Sequence, residues 1–222
     1  MTIVLTLVLL YGIGNNGGGY QLGRIRRIWQ PEIYYHVTMR GNNRQNIFLN
    51  SGDFALFFRA LEYAYAKYPF SILAYCIMNN HYHLLIRSPE EPLSNVMAIL
   101  NKRYSEFYKR KYNYFGQLYE TRYYASMVSD PISLLNVSCY IHQNPITTTR
   151  ALVEKMEDYN YSSYKYYFHQ IKTVHPFLNT DFLPSLIETN PEIQQPDYCT
   201  YCENFRKNLE QKNPPLHQLM LT

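Results

Sequence analysis

The stretch 71–86 is apolar nearly throughout, interrupted only by Asn79, Asn80 and two histidines, His81 and His83. Two apolar segments of strand length, 71–78 and 82–88, flank a pair of asparagines, the residue type that favours a tight turn. They read as the second and third strands of a sheet, joined as a hairpin. In a strand, successive side chains alternate faces, so His81 and His83 point the same way and Tyr82 points the other. Two imidazoles on one face can supply two ligands to a divalent metal ion, although an H-x-H pair in a strand also has a purely structural reading.

The rest of the chain builds around that hairpin. Residues 33–40, IYYHVTMR, are rich in β-formers and precede a turn at Gly41, Asn42 and Asn43, which gives a first strand. Asp53 reads as the N-cap of a helix in which Phe54, Phe57, Phe58, Leu61, Tyr65 and Tyr68 recur at helical spacing until Pro69. Residues 92–111 carry a second apolar stripe, with Lys102, Arg103, Lys109, Arg110 and Lys111 off it. After Gly116, residues 123–128 read as a fourth strand. Ser129 or Asp130 caps a third helix, with Pro131 at its first position and its end near Pro145. The order β-α-β-β-α-β-α predicts an α+β chain of the ferredoxin-like, split βαβ type: an antiparallel sheet with helices on one face, the other face free for a ligand, and a C-terminal extension. Tyr140 and Asn144 fall one turn apart on the third helix, so a phenol and an amide can both be aimed at the histidine pair.

At 222 residues the chain can hold one catalytic domain and a tail. We expect a leader at 1–23, disordered or extraneous, a domain at 24–150, and an extension at 151–222 packed on it and frayed after Pro214. The apolar part of the leader, 2–13, is too short to span a membrane and lacks the flanks of a secretory signal; a short buried strand is its other reading. Charge divides along the same boundary. Residues 1–150 hold 15 Lys and Arg against 8 Asp and Glu, and the remainder holds 6 against 9, so the first part is +7 and the tail −3. A basic catalytic part suits a polyanion, because clustered cations neutralise phosphates and release counterions. The 24 tyrosines mostly suit a core with wet hydroxyls, and a minority could stack on unpaired bases. Four scattered cysteines make no disulfide framework, which points to a reducing, cytoplasmic setting. Cys199 and Cys202 form a lone C-x-x-C without the further ligands zinc needs.

As a metal site, His81 and His83 with the carbonyl oxygen of Asn144 suit Mg²⁺ or Mn²⁺ better than zinc and leave positions open for phosphate oxygens. Tyr140 is the candidate nucleophile, a phenol that needs help to release its proton. The candidate DNA contacts are Arg40 and Arg44 beside the Gly41 turn, Lys102 and Arg103 on the second helix, and Arg122 before the fourth strand. His36 and His142 are assigned structural roles.

Four segments carry a family resemblance: YHVTMRGNNRQNIF at 35–48, CIMNNHYHLLI at 76–86, GQLYETRY at 116–123 and YIHQNP at 140–145. In this order they resemble the HUH single-tyrosine transposases of bacteria, most of all the REP-associated tyrosine transposases, among the IS200-like transposases. The likeness spans about 24–168, including DYNYSSY near Tyr161. Asn80 stands where many relatives have proline, Tyr82 where they have an aliphatic residue, and Tyr119 where they often have tryptophan. The resemblance implies that His81 and His83 are the HUH histidines, Tyr140 the catalytic tyrosine and Asn144 the third metal ligand. It further implies cleavage and rejoining of single-stranded DNA next to palindromic hairpins, with Mg²⁺ or Mn²⁺, through a 5′-phosphotyrosine. A monomer or homodimer, cytoplasmic and nucleoid-associated, with no membrane contact, goes with that reading. The alternatives are a replication initiator or relaxase of the same chemistry, disfavoured by the lack of a G-x-x-x-x-G-K loop, and a non-catalytic hairpin DNA or RNA binder descended from such an enzyme.

Overall fold

The expected order of strands and helices is realised in a computed structural model that describes residues 29–212. The readings of the leader at 1–23 and of the end after Pro214 lie outside the described residues. Strands β1 (Tyr34–Arg40), β2 (Ser71–Met78), β3 (His81–Arg87) and β4 (Tyr124–Val128) form one sheet in the order β2-β3-β1-β4. Every neighbouring pair is antiparallel. Helix α1 (Ser51–Lys67) connects β1 to β2, and α2 (Leu93–Tyr112) connects β3 to β4. This is the α+β, split βαβ arrangement. Helix α3 (Pro131–Thr147) follows β4, and three shorter or later helices, α4 (Tyr164–Phe168), α5 (Phe182–Thr189) and α6 (Tyr198–Lys212), complete the described chain.

The boundaries follow local chemistry. Asn50, not Asp53, is the N-cap of α1: its side chain accepts from the Gly52 N–H, and Asp53 sits three residues on, accepting back from the N–H groups of Leu49 and Asn50 at 2.7 and 3.2 Å. Asp130 caps α3 by accepting from the Ser133 N–H at 2.8 Å, with Pro131 next. That helix runs through Pro145 to Thr147 instead of stopping at the proline. The missing N–H falls in the last turn, where one lost bond is tolerated. Gly41 leaves β1 so close to the following segment that a Cβ there would lie 2.7 Å from Ile47 Cγ2, and its N–H donates to the Asn80 carbonyl at 2.8 Å. The end of β1 is thereby fastened to the turn that introduces β3.

Two apolar layers enclose the sheet. On the first face, Phe57 and Leu61 of α1 and Val96, Leu100 and Tyr104 of α2 pack on Val37, Tyr82, Leu84 and Ile86. On the second, Leu135, Cys139 and Ile141 of α3 join Tyr164, Leu183 and Cys202 over Leu73, Cys76 and Leu85. The second face is therefore not the open surface that the sequence suggested. Strand β2 is apolar on both sides, and a bulge between Ile72 and Ala74 turns Leu73 and Ala74 together towards the second layer, so that face must be covered. The second-face residues of β1 are instead His36, Thr38 and Arg40, and the sheet stays accessible there. Among the described residues no helix is long and apolar enough to cross a membrane.

Candidate active site

Register brings the site together. Thr38 pairs with His83 and Arg40 with His81 across β1 and β3, while His36 pairs with Ser126 across β1 and β4. All of these except the apolar residues between them point to the second face. Helix α3 crosses that face and sets the Tyr140 ring edge-on to His83, with centroids 5.6 Å apart, and to His36 at 5.8 Å. The rings of His81 and His83 are 5.0 Å apart at right angles. Asn144, one turn beyond Tyr140, donates to the Tyr140 backbone carbonyl at 2.8 Å, and its amide sits close enough to raise the His81 ring and lower the Tyr140 phenol in pKa. Tyr140, His81, His83 and Asn144 thus converge, from a strand and a helix far apart in sequence.

Both strand histidines are held from behind. The Nδ1 of His81 lies 2.6 Å from Asn80 Oδ1, and the Nδ1 of His83 lies 3.0 Å from His36 Nε2 and 3.1 Å from Thr38 Oγ1. These contacts engage Nδ1 and leave Nε2 of each ring for a ligand. Burial drives the pKa of His81 and of His36 down to about 4 and that of His83 well below its usual value, with Arg40 lowering His81 and His83 further. At neutral pH the rings are uncharged and keep their lone pairs. Burial raises the Tyr140 phenol, while the Asn144 amide and the Arg40 guanidinium pull it back down.

His81, His83 and Asn144 are the side chains here that could hold a divalent ion. Among the described residues there is no cluster of three His, Cys, Asp or Glu side chains able to hold a metal, and an ion bound here would have two imidazoles and one amide oxygen as its side-chain ligands. A set this sparse leaves room for phosphate oxygens and water. His36 and Thr38 escaped the sequence reading, which gave His36 a structural role. The signal was present in β1, where apolar Tyr35, Val37 and Met39 alternate with polar His36, Thr38 and Arg40. His142, by contrast, is fully buried on the far side of α3, with Nε2 2.7 Å from Ser163 Oγ and Nδ1 3.0 Å from the Tyr198 hydroxyl.

The model of the IS200-like transposase family matches residues 30–144, just over half of the chain and the whole of this constellation. The chain belongs to the IS200-like transposases. Within the family it is 28% identical over 155 residues to a protein of Haemophilus influenzae named for the REP-associated tyrosine transposases, a match covering 64% of this chain and 86% of that one. Among solved structures it resembles a REP-associated tyrosine transposase bound to a REP hairpin, with a TM-score of 0.57, 14% identity, and coverage of 69% of this chain and 90% of the other.

This IS200-like transposase spreads its candidate DNA-contacting cations widely. Arg40 lines the cleft beside Tyr140. Arg44 is exposed in the turn after β1, with left-handed backbone (φ 57°) and its carbonyl accepting from the Asn80 amide at 3.2 Å. Arg122 is exposed just before β4. Lys102 and Arg103 do not join them. They lie on α2, which packs on the opposite face of the sheet, where Lys102 pairs with Glu106 at 3.9 Å and Arg103 stacks 3.6 Å over the Tyr63 ring.

Proposed function

We propose that this IS200-like transposase cleaves and rejoins single-stranded DNA beside hairpins, with Tyr140 as the nucleophile. The observation that carries the reading is the Tyr140 ring standing against the two neutral imidazoles of His36 and His83, one turn from Asn144, on the uncovered part of the sheet's second face. The hairpin enters through the likeness to a transposase solved with a REP hairpin.

In this reading the Tyr140 oxygen attacks a phosphodiester phosphorus, the P–O3′ bond breaks, and the protein holds a 5′-phosphotyrosine. The phenol proton is lost and the departing 3′ oxygen gains one, so the step balances. Burial keeps the phenol above its usual value; the Asn144 amide and the Arg40 guanidinium favour the anion and recover part of the cost of ionising a buried tyrosine. His81, His83 and Asn144 would hold Mg²⁺ or Mn²⁺, which when bound supplies Lewis-acid polarisation of the phosphodiester. Because the link conserves the phosphodiester's bond energy, attack by a second 3′-hydroxyl rejoins strands without ATP. Arg40, Arg44 and Arg122 would steer the strand.

The test is incubation of the full chain with end-labelled, single-stranded hairpin DNA from the flanks of its own gene, with Mn²⁺ or EDTA, beside Tyr140→Phe. A denaturant-resistant adduct that needs metal and vanishes in Tyr140→Phe is the expected result. Tight binding without an adduct, equal in both proteins, would replace the enzyme with a hairpin-binding module.

A further inference from the structure

Between β1, β4 and the first turns of α3 lies a cleft of about 290 Å³. Its inner end is formed by His36, Thr38, Arg40, His83 and Tyr140, and within the cleft the chemistry just described uses that end alone. The outer part is built by Tyr124 and Ser126 of β4, Val137 of α3 and the Asp130 cap. Ser126 stands opposite His36 and Tyr124 opposite Thr38 on the paired strands, so this outer wall continues the same face of the sheet.

Tyr124 is unusual in this protein. Most of its tyrosines fill the two cores, whereas Tyr124 is 54% exposed at the cleft's rim. An exposed aromatic ring beside a narrow, partly apolar slot offers a face on which a flat ring can stack. The cleft is of the size of the smallest ligand pockets, enough for one planar heterocycle and too small for duplex DNA. Away from Arg40 and the histidines, its polar side chains are hydroxyls and the Asp130 carboxylate, which hydrogen bonds from the Ser133 hydroxyl and N–H hold below the usual carboxylate range and whose oxygens can accept more than these.

We propose that this cleft is a nucleobase subsite, taking one unpaired base adjacent to the phosphodiester that faces Tyr140. The inference rests on the reading of Tyr140 as the DNA nucleophile. Drawing a base out of its stack is unfavourable, and stacking on one aromatic ring returns much of what is lost, so Tyr124 eases the extrusion. What is gained is register, because a base seated between Tyr124 and Val137 fixes which phosphate meets Tyr140. Asp130 and the Ser126 hydroxyl favour a base edge that carries an amino group, which thymine lacks.

The experiment has two arms. In the first, the cut is mapped on the unmodified hairpin strand, each flanking nucleotide is made abasic in turn, and adduct formation is timed for the wild type, Tyr124→Ala and Val137→Trp. An abasic residue on one side should slow the wild type about tenfold or more, the stacking contribution expressed as a rate, and on the other side should have little effect. Val137→Trp, with the cleft filled, should be slow on the intact strand and lose nothing further on the abasic one. Equal rates on all strands in the wild type, or losses that multiply in Val137→Trp, would overturn the subsite. In the second arm, 2-aminopurine replaces each flanking base, with EDTA present so that no cleavage occurs. Emission from one position should fall on binding to the wild type and recover with Tyr124→Ala, a surface change that spares the core. No quenching at any position overturns the subsite even where adducts form. Quenching without adducts keeps the subsite and refutes Tyr140 as nucleophile.

Discussion

The double support behind His83 makes a quantitative prediction about metal binding. If His83 presents Nε2 to the ion, its Nδ1 carries the ring's one N–H, and that hydrogen faces two acceptors, His36 Nε2 at 3.0 Å and Thr38 Oγ1 at 3.1 Å. A single donor satisfies one acceptor well at a time, so Thr38→Val or His36→Phe alone leaves a working partner. Each should weaken Mn²⁺ binding by less than about 5-fold, below the roughly 1 kcal/mol of one net hydrogen bond. The double variant removes both partners and should lose about 10- to 100-fold, the range for lost support behind a metal-bound histidine. The loss in the double variant should therefore exceed the product of the single losses, the sign of two groups sharing one role. Free Mn²⁺ followed by electron paramagnetic resonance during titration measures the affinity directly, without DNA and without turnover. His83→Ala gives the floor. A double variant binding Mn²⁺ within twofold of wild type, with the wild type above the floor, would refute the orientation argument; losses that simply multiply would refute the shared donor.

Two further outcomes follow from groups placed elsewhere. Asp53 is buried: burial pushes its carboxyl up, but the Lys111 ammonium at 2.6 Å, the Leu49 and Asn50 N–H groups and the Tyr112 hydroxyl outweigh that and hold its pKa below the usual value. A depressed folded value means that its stabilisation is complete above the unfolded pKa near 3.8 and is lost as pH falls through the lower folded value, so urea midpoints should decline on the acid side below about pH 4. Asp53→Asn should flatten that decline and cost about 2–4 kcal/mol at neutral pH, read as a fall in Tm of about 5–15 °C. For DNA, Arg40→Ala should weaken hairpin binding and reduce the salt slope by about one, whereas Lys102→Ala with Arg103→Ala should leave both unchanged, because α2 lies across the sheet from Tyr140.

The part of this molecule readable in its sequence is the part governed by local periodicity. The apolar stripes of α1 and α2, the paired asparagines between β2 and β3, and the Asp130-Pro131 start of α3 each state their own structure within a few residues. Tyr140 and Asn144 share a helix and His81 and His83 share a strand, so each half of the site was legible, and the family resemblance joined the halves. Which side of β2 would be covered, and by what, is a different kind of information. A strand apolar on both faces demands a second layer but does not name it, and the supplier is the tyrosine-rich segment after α3. There Tyr159 and Tyr167 bury their rings and donate to the carbonyls of Ile77 and Leu73 at 2.9 and 2.6 Å. Those hydroxyls end in the core, where the composition alone suggested wet surface groups. His36 was hidden for a related reason: its neighbours are set by the register of β1 against β3 and β4, which only the assembled sheet fixes. Charge is the least directional signal of all. The same basic character that pointed to a polyanion covers Arg40 beside Tyr140 and Arg103 on the far face, and only the packing of α2 separates them. The open half of the second face coincides with the polar alternation of β1, so the pattern His36, Thr38, Arg40 specifies where the sheet is left uncovered and hence where chemistry can reach it.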